Sequence, residues 1–559
     1  MDVTLGIKKF AYYLPEYPDS VAERDHERYN INNIYVITDY LQKGNEEKKQ
    51  DTVTSGDYKI IYSENLHFRP EIISSYLVYL RKGDLYQHKN ADNTYKALSD
   101  LKAFKLINIQ FAETPGMKGQ LDCKIFLTPL LKQAFTIEAE GTNTSSNLGI
   151  LGSVVYQNRN VFGGMEVLDL KFKGGLQGQS SAAKNTNNSS PRTPFNTIQF
   201  GPEANFEVPR FLLPFTVHVM KNAAPRTRFT AALNYQSQYN YTRYAGNATF
   251  GYTWKESPKK RHTINPLEIS LIKIDKLAAF DAELRNTNNL LILNSFTDHF
   301  VTATRYSFVY TETETQRKKR FPYFRGTFES SGNILRGINN LTHELKDTDG
   351  SYRIMGIKYS QYIKAEADFR YYKIFNENKS VVFRVFAGAG KPLDNLKVLP
   401  FEKSFFAGGT NGIRAWKARS LGPGGYASLA QTQYYLIGDG QLEGNIEFRF
   451  KVYKMFRSAL FIDAGNIWLV KKDAGRPDGE FELNTFYKQL ALGTGIGARL
   501  DFSFFILRLD LGIKVRDPAL SGADTWVIHH WFDWIRKDYT VYGKKYNFAT
   551  INFAIGYPF

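Results

Sequence analysis

The sequence predicts a mostly β protein: a sixteen-stranded antiparallel β-barrel spanning a membrane, preceded by a small α+β domain. Three observations predict it. Aromatic residues make up 15% of the chain, with 35 Tyr, 42 Phe and 6 Trp, and 43 Gly accompany them against one Cys and six Met. The C-terminal half alternates apolar and polar residues with period two, in segments of about ten residues or more, the length of a tilted membrane strand. The links between these segments are short on one side and long on the other, the pattern of bacterial outer-membrane barrels. Mean hydropathy is −0.38, and no stretch approaches the ~18 apolar residues of a membrane helix.

Charge divides the 559 residues. Residues 1–132 hold 18 basic and 18 acidic side chains, whereas residues 133–559 hold 54 and 37 and so carry the whole net charge of +17. The break places a boundary near residue 132. Residues 1–28 are expected to be the end of a preceding domain or a linker, 29–131 a small domain and 132–559 the barrel. The opening MDVTLGIKKF lacks the apolar core of a secretory signal, so an exported form is expected to be mature or truncated.

In the small domain, YNINNIYVIT reads as a strand. RPEIISSYLVYLRKG reads as a helix with Ile72, Ile73, Leu77 and Leu80 near helical spacing and Gly83 as its stop. NADNTYKALSDLKAF reads as a second helix, and KLINIQFAE and LDCKIFLTP as two strands, giving β-α-α-β-β. Cys123 alternates with Ile125 and Leu127, which predicts a packed, inert thiol.

In the barrel, strands are expected near 133–143, 148–158, 165–178, 195–208, 227–239, 243–256, 262–275, 300–311, 323–335, 362–372, 380–391, 440–452, 458–469, 489–502, 504–515 and 549–559. The last reads ATINFAIGYPF: Phe553, Ile555, Tyr557 and Phe559 share one face, expected to touch lipid. A soluble sandwich also alternates. Here, though, the polar faces mix bulky charges with bare Gly, as a crowded lumen would. On the strands from 362 to 515, Lys364, Arg370, Arg384, Arg449, Lys451, Arg499, Arg508 and Lys514 oppose Glu366, Asp368, Glu443, Glu447, Asp463, Asp501 and Asp510. A strongly ion-selective pore would show one sign; mixed signs predict paired networks. Basic turns such as Lys259–Arg261 read as solvated.

Enzyme signatures are missing: no P-loop, GxSxG, HExxH or CxxC occurs. His529 and His530 are adjacent and would point apart in a strand, so no metal site, cofactor or catalytic residue is expected. The basic clusters sit in separate turns rather than in one stripe, which argues against a nucleic-acid partner. The strongest local signal is SFFAGGTNGIRAWKARSLGPGGY, inside the long loop 392–439. A loop so rich in Gly, Phe and Trp is not a solvated tether. Arg414 within it is expected to fold into the lumen and pair with Glu447 or Asp463, whose carboxylates share the lumen face.

These residues resemble the BamA/TamA family of outer-membrane assembly factors, and the loop wording is more similar to its TamA-like members. The family's Val-Arg-Gly-Phe/Tyr loop signature matches Ile413, Arg414, Ala415 and Trp416, with only the Arg identical. Its Phe-x-Asp-x-Gly signature is met by Phe461, Asp463 and Gly465, its strand-twelve Glu by Glu447, and the terminal aromatic of its β-signal by Phe559. The resemblance covers about residues 29–559. It implies a periplasmic POTRA domain over 29–131 and a sixteen-stranded outer-membrane barrel. It also implies a non-enzymatic role: inserting β-barrel or surface proteins through a lateral seam between first and last strands. The implied partners are unfolded outer-membrane clients, outer-membrane lipid, and a periplasmic or inner-membrane partner reached through the POTRA region. A two-partner-secretion-type transporter, a gated channel and a receptor barrel are the alternatives.

Overall fold

The computed structural model describes residues 28–40, 50–63, 65–77, 79–144, 147–178, 196–213, 223–286, 296–312, 319–427, 436–502, 505–530, 540–541 and 544–559. The expected linker over 1–28 therefore lies outside the described residues, apart from Arg28. The chain divides into two compact units. One takes Met1–Lys132 with Arg159–Met165; the other takes Gln133–Asn158 with Glu166–Phe559.

The first unit has strands β1 (Asn30–Ile37), β2 (Asp51–Ser55) and β3 (Tyr58–Tyr62), helices α1 (Pro70–Tyr76) and α2 (His88–Asp100), and strands β4 (Phe104–Glu113) and β5 (Gln120–Pro129). The sheet order is β2-β3-β1-β5-β4, with β1 parallel to both β3 and β5. The expected β-α-α-β-β frame is present, with a β2–β3 hairpin added between its first strand and first helix. Its signal is a Gly-Asp pair, Gly56–Asp57, between two runs of β-branched and aromatic residues; Gly56 takes a left-handed φ of 57°. The first helix is also shorter than its apolar spacing predicts. It stops at Tyr76, and a tighter turn follows in which Leu80 N donates to Leu77 O. That turn brings the Leu77 and Leu80 carbonyls each to 2.8 Å from the buried Tyr58 hydroxyl. A buried hydroxyl needs such an acceptor. Cys123 lies in the apolar core with Ile34, Ile73, Leu98 and Ile125. Burial pushes its thiol up to about 12, which keeps it protonated and unreactive.

The second unit is one large sheet. Its strands are β6 (Gln133–Thr144), β7 (Asn147–Arg159), β8 (Val167–Gly178), β9 (Thr197–Val208), β10 (Arg226–Gln238), β11 (Tyr241–Ser257) and β12 (Lys260–Lys276). Helix α3 (Ala278–Asn286) precedes β13 (His299–Thr311) and β14 (Arg320–Ser331). Helix α4 (Asn333–Leu341) and the short β15 (Arg353–Ile354) and β16 (Ile357–Ser360) lead to β17 (Tyr362–Asn376) and β18 (Lys379–Pro392). Then come β19 (Gly440–Tyr453), β20 (Phe456–Trp468), β21 (Ala491–Asp501) and β22 (Ile506–Arg516), a separate small hairpin of β23 (Thr540–Val541) and β24 (Lys544–Lys545), and β25 (Ala549–Ile555).

Strand order follows the chain from β6 to β22, and β25 lies between β22 and β6. Among the described residues the sheet thus counts eighteen strands where sixteen are expected. The two extra ones are β15 and β16, of two and four residues, and β14 still pairs directly with β17 from Arg320 to Ser331. The strand expected over 323–335 stops at Ser331, because Gly332 at φ 69° turns the chain into α4.

Alternation decides which side chain faces where. On β20, Leu460 and Ile462 are exposed on the outer face, while Phe461 and Asp463 are buried on the inner one. Ile551, Phe553 and Ile555 are likewise exposed on β25. The last expected strand, 549–559, ends early. After Ile555, Gly556 takes φ 82° and the chain leaves the ladder; Pro558 has no N–H to continue it. Tyr557 and Phe559 therefore leave the lipid-facing row on which the sequence pattern puts them. Phe559 is buried, and its carbonyl oxygen accepts from Arg449 Nη2 at 3.0 Å.

Candidate functional site: the loop-anchoring arginine

The loop after β18 makes a tight turn over Ile413–Trp416, closed by Trp416 N donating to Ile413 O at 3.1 Å. Ile413, Ala415 and Trp416 enter an apolar cluster with Phe386, Phe405, Ala407, Leu421, Ile467 and Ala491, so the turn carries its own core onto the wall. Arg414 has no exposed side-chain surface. Its Nε and Nη2 donate to the two oxygens of Asp463 at 2.9 Å each, its Nη1 donates to Glu447, and its backbone N donates to Asp463 at 3.1 Å. The guanidinium lies 3.5 Å from the ring centre of Phe461, a cation–π contact. A planar fork meeting a carboxylate along two bonds fixes orientation as well as charge.

The surroundings extend this centre. Asn445 Nδ2 lies within bonding distance of Asp463 (2.9 Å) and of Gly412 O (3.1 Å). Glu447 also accepts from Arg449 Nε at 2.7 Å. Arg499 pairs with Asp510, and Arg508 Nη2 donates to Asn411 of the loop at 2.6 Å. Three buried guanidinium groups, Arg414, Arg499 and Arg508, face three buried carboxylates, Glu447, Asp463 and Asp510. Such a cluster is tolerable in low dielectric because its charges balance.

Glycines let the loop approach. A Cβ on Gly512 would stand 2.4 Å from Arg414 O, and one on Gly493 would stand 2.6 Å from Ala415 Cβ. Ala415 thus fits where the resembled motif has Gly, because the wall opposite is bare. Gly465 lies on β20 next to the loop, and a Cβ there would be 3.2 Å from Ile413 Cδ1.

The turn also holds the last strand. Asn552 Nδ2 donates to Arg414 O at 2.8 Å, and Thr550 Oγ1 to Ala415 O at 2.9 Å. Tyr557 lies under the Arg449 guanidinium at 4.2 Å, and the Phe559 ring is within about 6 Å of Arg384, Arg414 and Arg449. A second anchor sits near the loop's start. Glu402 accepts from Arg243 at 2.5 Å and contacts His299 at 3.2 Å; Lys403 reaches Glu329 at 2.6 Å.

The sequence pattern names Arg414, Glu447, Asp463, Phe461 and Gly465, which meet here. It does not single out Asn445, Gly493, Gly512, Thr550 or Asn552, although each stands on a polar face of an alternating strand. His529 and His530 lie in a 3₁₀ turn rather than a strand, and His530 contacts Asp524 at 3.0 Å. Among the described residues, no group of three or more His, Cys, Asp or Glu could hold a metal ion.

A family model of the Omp85 superfamily domain matches residues 176–557. The chain belongs to the Omp85 superfamily. Barrels of this superfamily are outer-membrane proteins that handle protein substrates. Among solved structures, the chain is similar in fold to BamA from Haemophilus ducreyi lacking POTRA domains 1–3, at 10% identity and a TM-score of 0.55, covering 91% of this chain and 89% of that one. CdiB from Acinetobacter baumannii gives 11% identity, 91% coverage of both chains and a TM-score of 0.47. Comparison with curated proteins gives no match. Within the Omp85 frame, the Arg414 centre is the place where the lumen loop, the wall β19–β22 and the last strand β25 meet.

Proposed function

We propose that this Omp85 protein inserts or translocates outer-membrane clients through a lateral opening between β25 and β6. The observation that carries it is a mismatch in strand length. β6 has twelve residues and its neighbour β25 has seven, so in any register at least five residues of β6 lack a β25 partner. Unpaired backbone in lipid is costly, and a client strand can satisfy it by β-augmentation.

In this reading sixteen long strands close the barrel at that seam. The Arg414 centre is a strut: Asn552 and Thr550 hold β25 to the loop tip, so the seam parts on the β6 side while β25 stays in place. The first unit, as a POTRA-type domain, stands in the periplasm and receives clients or a partner. Phe553, Ile555, Tyr557 and Phe559 mark the chain for its own assembly before it folds. The work needs no bond chemistry and no cofactor.

Cysteine pairs across the seam test this. Thr136→Cys with Ala554→Cys, scanned over neighbouring registers, are expected to form disulfides that stop assembly of other outer-membrane proteins until reduced. Full activity in a quantitatively cross-linked seam overturns lateral opening and favours a transporter acting through its lumen.

A further inference from the structure

Helix α4 is inverted relative to an ordinary surface helix. Ile334, Ile338 and Leu341 recur at the spacing of one helix face; they are 68%, 47% and 82% exposed, and Leu345, past the end of the helix, is 89% exposed. Its polar side is the buried one. Asn339 is buried with its side-chain amide 3.2 Å from the Tyr359 hydroxyl, and Arg336 stacks over Tyr352 at 4.6 Å.

This orientation is built in. Asn395 accepts from Tyr352 N at 2.6 Å and its Nδ2 lies within bonding distance of the carbonyls of Tyr352 and Tyr359, so the residues behind the helix are tied to one another. Gly332, at φ 69°, sits so close to the β16 end that a Cβ would stand 2.6 Å from Ser360 O. The helix cannot roll to hide its apolar face without breaking these contacts.

The place of the helix says what covers that face. Phe328 on β14 and Ile363 on β17 are exposed on the outer, lipid-facing side of adjoining strands. The chain passes only Gly332 between β14 and α4. The apolar stripe therefore begins where the outward belt of the barrel ends, at the long-loop rim. We propose that α4 is an interfacial helix that lies on the surface leaflet and seats Ile334, Ile338 and Leu341 in the lipid at the boundary of headgroups and acyl chains. The inference rests on the reading that the barrel wall is in the membrane.

The test uses the full chain with Cys123→Ser and one added cysteine, labelled with a polarity-sensitive fluorophore and reconstituted into vesicles of phosphatidylethanolamine and phosphatidylglycerol with a share of brominated-acyl phosphatidylcholine. Labels at Ile338→Cys and Leu341→Cys are expected to shift to the blue and lose emission to the brominated chains. A label at Asp349→Cys, in the polar part of the same loop, is expected to do neither. A label at Leu460→Cys on the outer wall reports insertion separately. Quenching at 460 with none at 338 and 341 overturns the helix proposal and leaves the barrel reading intact. No quenching at any site overturns both. Protection of 338 by a second protein rather than by lipid overturns the lipid assignment.

Discussion

Two walls of the same sheet read alike in sequence and differ in structure. Strands β8–β10 and strands β18–β22 both alternate apolar residues with charges. On the second wall Glu447, Asp463, Arg499 and Asp510, and Arg414 of the loop packed against it, have almost no exposed surface. On the first, Lys173 and Glu203 stand 3.6 Å apart with side chains 29% and 26% exposed, and Arg228 pairs with Glu207 while more than half exposed. Among the described residues the difference is the loop after β18, which packs its Ile413–Trp416 turn onto the second wall. Alternation places a charge on the inner face. Only a covering element turns that charge into a structural tie.

Arg414→Ala breaks this comparison most severely. It leaves Asp463 buried without its cation and takes from Glu447 one of its guanidinium partners, Arg449 remaining; breaking a buried pair costs about 3–5 kcal/mol. The barrel's thermal midpoint, followed by heat-modified gel migration, should fall steeply and assembly activity with it. Arg414→Lys should restore little, because a single ammonium cannot make the two-oxygen bond to Asp463. A midpoint unchanged in Arg414→Ala would place the wall's stability elsewhere.

Gly512→Val attacks the same wall without touching a charge. The new side chain occupies the space of the Arg414 carbonyl, so the loop must lift or the strand must shift. Overpacking of this kind costs about 1–3 kcal/mol. Limited proteolysis should cut the loop near Arg419 faster than in the parent protein. Equal cutting rates would show that the loop is held by its apolar cluster alone.

Phe559→Ala should be milder. The ring lies within about 6 Å of three guanidinium groups, and such contacts are worth about 0.5–2 kcal/mol. The refolded barrel should lose a small part of its midpoint. A lipid-facing Phe559 would predict almost none, so the size of the loss distinguishes the buried ring from the outward one that strict alternation gives.

Most strands were legible because period two is a local property, and so was the pairing of Arg414, since Asp463 and Glu447 stand on the inner rows of adjacent strands. What escaped depends on single residues that interrupt a pattern. Gly332 and Gly556, both at left-handed φ, end β14 and β25 early; one starts α4, the other turns Phe559 inward. Thr550 and Asn552 escaped because their partners are backbone carbonyls of Arg414 and Ala415, more than 130 residues away. A carbonyl acceptor leaves no trace in side-chain pattern. The β2–β3 hairpin did carry a local signal, in its Gly-Asp turn.

The smallest effect belongs to the open wall, and it sharpens the comparison from the other side. Lys173 and Glu203 carry the same kinds of charge as the buried cluster, on strands with the same alternation. Their separation of 3.6 Å is longer than any bond Arg414 makes to Asp463, and water reaches both. A solvated pair gains little Coulomb energy, loses side-chain entropy and is screened by salt. Lys173→Ala should therefore change barrel stability by less than about 1 kcal/mol. What change there is should shrink as salt is raised, whereas the loss in Arg414→Ala should persist, since ions cannot screen a pair sealed under the loop. Equal salt sensitivity in the two variants would mean that water enters the Arg414 centre. A loss in Lys173→Ala as large as that in Arg414→Ala would mean that another part of the chain covers the β8–β10 wall as well.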